Sequence, residues 1–104
     1  MEWPAPWLPI AGGSSLAEGL VAELGRELAP GHPLTGIPVV AAGRHGENDD
    51  ALFRLLDGTD RVAVVHLTWS GHVEQPPWPV ASLFEGFDDW AGRSAEIDSN
   101  DSLR

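Results

Sequence analysis

The sequence predicts a single α+β domain built on a three-stranded antiparallel meander, with one helix before the sheet and one after it. Three observations carry that expectation. The run Arg61-Val62-Ala63-Val64-Val65-His66-Leu67-Thr68-Trp69 is the longest apolar stretch and is rich in β-branched residues, which lose rotamer freedom in helices and pack well on pleated surfaces. A second apolar run, Ala51 to Leu56, precedes it across Asp57-Gly58-Thr59-Asp60, and Asp-Gly favours a tight hairpin turn. Finally, Ser15-Leu16-Ala17-Glu18 and Ser82-Leu83-Phe84-Glu85 have the spacing of a capping box.

The elements follow in order. Residues 1–13 form an arm in which Trp3, Trp7, Leu8 and Ile10 alternate with prolines that forbid regular structure. Its tryptophans are expected to pack over the sheet or a helix, because large apolar groups are unfavourable in water. The domain proper spans 14–92. In its first helix Leu16, Leu20, Val21, Leu24 and Leu28 recur at helical spacing, Glu18, Glu23, Arg26 and Glu27 take the other positions, and Pro30-Gly31 ends it. Ile37 to Ala42 reads as a strand whose Pro38 suits a sheet edge. For the hairpin, a two-residue loop would oppose Arg54 to Arg61. A four-residue loop places Arg54 opposite Ala63 and Phe53 opposite Val64, which is preferred. Both put Phe53, Leu55, Val62 and Val64 on one face. Leu83, Phe84, Phe87, Trp90 and Ala91 form the stripe of a last helix, and residues 93–104 are a polar tail.

Composition narrows the function. Sixteen acidic residues against six arginines and no lysine leave 104 residues with a formal charge of -10. Such a field repels phosphate backbones and anionic membrane surfaces, so neither nucleic acid nor membrane is an expected partner, while a basic protein would be steered toward it. The absence of cysteine removes disulfides, thiolate metal sites and a cysteine nucleophile. With no stretch of ~20 apolar residues and no basic leader, the cytoplasm is the expected compartment. No cofactor is expected, since phosphate loops, dinucleotide fingerprints and calcium loops are all missing.

The leading function is a non-enzymatic acidic interaction module, in its concrete form an immunity- or antitoxin-like partner of a basic protein. Its partner-binding residues are Trp69, Trp78, Asp88 and Asp89, because tryptophan with acid suits such a surface. The alternative is a metal-binding or small-molecule-binding domain, hydrolytic in one form, using His66, His72 and Glu74 with His45 and Asp49 near by; those residue types are ordinary metal ligands, but their spacing matches no metal signature. A Ser70, His72 and aspartate triad lacks the nucleophile elbow. A third reading is a structural homodimer, prompted by the two apolar faces of the central strand.

His66-Leu67-Thr68-Trp69-Ser70-Gly71, followed by Pro76-Pro77-Trp78-Pro79 and then Phe84, Phe87 and Trp90, resembles a group of small bacterial proteins of unknown function. Gly31-His32-Pro33-Leu34 and Asp49-Asp50-Ala51-Leu52-Phe53 are similar as well. The resemblance covers about residues 31–91. It implies that this region is a domain and lends no catalytic residues.

Overall fold

A computed structural model describes residues 3, 6–75 and 78–93. Pro76, Pro77, most of the expected polar tail (residues 94–104) and part of the arm therefore lie outside the described residues. The order is β1 (Trp7–Pro9), α1 (Ser15–Glu27), β2 (Val39–His45), β3 (Asp50–Leu55), β4 (Val62–His66) and β5 (Val80–Phe84), followed by a short helix α2 over 87–93. The strands form one antiparallel sheet in the order β1-β2-β3-β4-β5.

This corrects the three-stranded expectation at both ends. Trp7, Leu8 and Pro9 pair with His45, Arg44 and Gly43. Three residues are short enough that proline costs little of the ladder, and the pairing is extended by Gly46 N to Pro6 O and Ile10 N to Ala42 O, both 3.0 Å. At the other end, Val80 to Phe84 pair with His66 to Val62, so Ser82 lies in a strand and does not cap a helix. The stripe assigned to one helix divides between β5 and α2. β2 is an interior strand; Pro38 stands just before it and offers its carbonyl to Leu56 N at 2.8 Å.

The hairpin register also differs. Arg54 pairs with Val62 and Phe53 with Ala63. Leu55 N donates to Arg61 O at 2.9 Å, leaving a five-residue loop 56–60. Two positive φ angles, 84° at Gly58 and 61° at Asp60, let this longer loop close. Asp57 accepts from Thr59 N and pairs with Arg61 (3.1 Å each). Its carboxyl is held below the usual aspartate range, first by the Thr59 hydroxyl. The odd step moves every side chain of one strand to the other face.

Phe53 and Leu55 consequently join Ala63, Val65 and Leu67 beneath Leu20 and Leu24 of α1. Val62 and Val64 join Leu52 on the opposite face, with Trp7 and Trp90. Each face has its own cover, α1 on one and the aromatic arm with α2 on the other. Trp90 is 1 % exposed and meets Trp7, Phe87 and Trp3 edge-on at 5.1, 5.2 and 5.6 Å. The bare second face that prompted a homodimer is covered by the chain's own aromatics.

The cover depends on a glycine. β2 bulges between Ala41 and Gly43, and a Cβ on Gly43 would run into the Trp3 ring and come within 3.1 Å of the Leu8 carbonyl. Gly43→Ala is expected to lower stability by about 1–3 kcal/mol through overpacking. The check is the urea midpoint alongside near-ultraviolet circular dichroism, which registers displacement of Trp3.

Candidate functional site

The connection from β4 to β5 is irregular, yet its backbone is anchored at both ends. Amides drawn partly out of water need acceptors, and two side chains of α1 supply them. Glu27 Oε1 accepts from Thr68 N at 3.0 Å, Glu27 Oε2 from Trp69 N at 2.9 Å, and Glu23 Oε2 from Gly71 N at 3.0 Å. The two glutamates are four residues apart, so their carboxyls share one helix face. Glu23 is 2 % exposed and Glu27 0 %. The Glu27 carbonyl, one of the unpaired acceptors at a helix end, receives Glu74 N at 3.0 Å. The Glu74 carboxylate in turn accepts from Thr68 Oγ1 at 2.9 Å.

The returning end is held by His32. Its Nδ1 accepts from Leu34 N at 3.1 Å. The ring proton of the neutral imidazole therefore lies on Nε2, which donates to the Pro79 carbonyl at 2.7 Å.

Two carboxyls cannot both ionise freely when buried side by side. Burial raises the titration of Glu27 above the usual glutamate range, and hydrogen bonding with Glu23 raises it further. Glu23 is lowered, first by that same bond with Glu27, then by the Gly71 amide and Arg26, whose Nη2 lies 2.8 Å away. Glu27 thus holds its proton to higher pH than Glu23, and the pair titrates as a unit. Glu74 is also lowered, by the Ser70 and Thr68 hydroxyls. Ser70 Oγ donates to the His72 carbonyl at 3.1 Å.

On this scaffold Trp69 takes a left-handed backbone, φ 58°, unusual for a bulky residue, and its side chain is about half exposed (48 %). Trp78, Val73, Val80 and Leu83 are exposed as well. The connection and β5 thus carry a run of large apolar groups in water. Of the four expected partner-binding residues, Trp69 and Trp78 lie here, before β5. Asp88 and Asp89 lie past its far end, on α2. Asp89 is already engaged, with Arg93 Nε at 2.8 Å and Glu85 N at 3.1 Å, and Arg93 first holds its carboxyl low.

The residues of the metal reading have separate partners. His66 Nδ1 lies 2.7 Å from Asp50 Oδ1, His72 Nδ1 lies 3.1 Å from the Val73 carbonyl, and Glu74 holds Thr68. Among the described residues no three His, Asp or Glu side chains converge to hold a metal. Ser70 meets the carbonyl of His72 and not its ring.

Sequence reasoning missed Glu23, Glu27 and His32. A signal existed for Glu27. At 100° per residue it lies about 20° from Leu20 around the helix, inside the buried arc, whereas Leu16, assigned to that arc, is exposed in the first turn.

No family model, curated protein or solved structure matches this chain. No helix among the described residues is long and apolar enough to cross a membrane.

Proposed function

We propose that this chain is a non-enzymatic interaction module of the cytoplasm that docks a basic protein through the tryptophans of its β4–β5 connection. An immunity- or antitoxin-like partner of a basic protein is its concrete form. The observation that carries the reading is the run of exposed apolar side chains, Trp69, Val73 and Trp78 on a connection held by buried glutamates and a buried histidine, and Val80 and Leu83 on the strand that follows. A pre-ordered surface loses little conformational entropy on binding. Tryptophan is enriched among residues that dominate interface energies. The charge of -10 would favour a basic partner and speed the encounter.

The test compares the wild type with Trp69→Ala and Trp78→Ala as affinity baits in lysate of the source cells. Both side chains are only half exposed, so the urea midpoint of each variant is measured alongside and binding is compared where both variants are fully folded. Each is expected to weaken binding of one basic protein by about 30-fold, the value of about 2 kcal/mol, and added salt should weaken it further. Retention of a protein that responds neither to salt nor to these substitutions would contradict the proposal.

A further inference from the structure

The two ends of this sheet are protected very differently. An edge strand presents unpaired backbone groups that natural proteins blunt with brevity, proline, charge or bulges. β1 has three residues, contains Pro9 and follows Pro6. β5 has five, Val-Ala-Ser-Leu-Phe, with neither charge nor proline, and pairs with β4 in an unbroken register. Among the described residues it has β4 on one side only. Apolar side chains are exposed on both of its faces: Val80 lies opposite His66, and Leu83 lies opposite Ala63 on the α1 side.

We infer that β5 is a strand-addition site, at which an extended segment of a basic partner pairs as a sixth strand; this rests on the interaction reading above and gives its binding mode. β5 also explains why the expected binding residues fall into two groups. Trp78 precedes it and Asp88 follows it. A strand of about five residues spans about 17 Å, so one added strand would reach from the tryptophan at one end to the carboxylates at the other. Those carboxylates line a cleft of about 580 Å³ that includes Asp60, Glu85, Asp88 and Asp89, with Arg54 as its basic residue. The occupant is therefore a segment with apolar residues along β5 and lysine or arginine toward the cleft, in the mode in which backbone bonds give affinity and flanking side chains give selectivity. A second copy would bring another charge of -10.

The test uses the full isotope-labelled chain and a synthetic peptide of alternating valine and arginine, with a control peptide of the same sequence N-methylated at alternate residues so that it cannot pair. The unmodified peptide is expected to bind at least about tenfold more tightly than the control. It should shift and protect alternate amides within Val80–Phe84, and Leu83→Lys should abolish the effect while leaving the free protein's spectrum otherwise unchanged. Equal binding of both peptides, no binding, or shifts confined to residues 68–75 would overturn strand addition. So would a doubled mass in sedimentation with the β5 amides already protected, which would make a second copy the occupant. If the affinity bait depends on Trp69 and Trp78 but is indifferent to Leu83→Lys, strand addition alone fails. If it depends on none of them, the interaction reading fails too.

Discussion

Glu27→Ala is expected to lower the unfolding free energy by about 3–5 kcal/mol, because it takes the acceptor from the partly buried Thr68 and Trp69 amides and each such loss costs about 1–3 kcal/mol. Glu18→Ala on the exposed side of the same helix should cost no more than about 1 kcal/mol. Chemical denaturation of the two variants makes the comparison. The pH dependence follows from the same pair. As pH falls through the lowered range of Glu23, the unfolded chain takes up its proton before the folded protein does, and stability is lost; Glu74, also lowered, acts in the same direction. As pH rises through the raised range of Glu27, the unfolded chain has already released a proton that the folded protein still holds, and stability falls again. Stability should pass through a maximum between those ranges. Glu27→Gln, which cannot ionise, should remove the decline on the alkaline side. An unchanged alkaline decline in that variant would show that another group is responsible.

Trp90→Ala is expected to be as damaging, by about 3–5 kcal/mol, the range for emptying a buried large aromatic site. Trp90 joins α2 to Trp3 and Trp7, so its loss unseats the cover of a whole sheet face. Domains of this size have about 5–15 kcal/mol in total, and each kcal/mol moves the melting midpoint by about 4–8 °C. Calorimetry should find a drop of at least about 12 °C. A drop under about 4 °C would mean that the aromatic cluster contributes little to stability.

The parts of the fold that were legible in the sequence are those set by local pattern. The leucine spacing marked α1, an apolar run ahead of Asp-Gly marked β3, and a valine-rich run marked β4. What was missed depends on partners distant in sequence. Trp7 to Pro9 become a strand only because β2 offers an edge, and proline weakens any local signal for that. Ser82 within β5 and Glu85 just past it stand at capping spacing, and pairing with β4 overrides that signal. The hairpin register turned on one residue of loop length, which positive φ at Asp60 decided and which no apolar pattern distinguishes when both faces are buried. The proposed binding surface was half legible. Exposed Trp69 and Trp78 stood out by type and context, whereas Glu23 and Glu27 looked like the solvated side of a helix because the amides that need them lie more than forty residues away. The histidines at 66 and 72 drew attention as chemistry, while the one that organises the connection is His32.

The central claim is that buried carboxyls on α1 hold a left-handed, tryptophan-bearing turn in one conformation. Amide hydrogen exchange at single-residue resolution tests it most directly. The account predicts that the amides of Thr68, Trp69 and Gly71 exchange as slowly as those of β4, and that Glu27→Gln, which keeps one acceptor oxygen of two, speeds exchange at one of Thr68 and Trp69 while leaving Gly71 slow. Exchange of all three at the rate of an unstructured peptide in the wild type would contradict it.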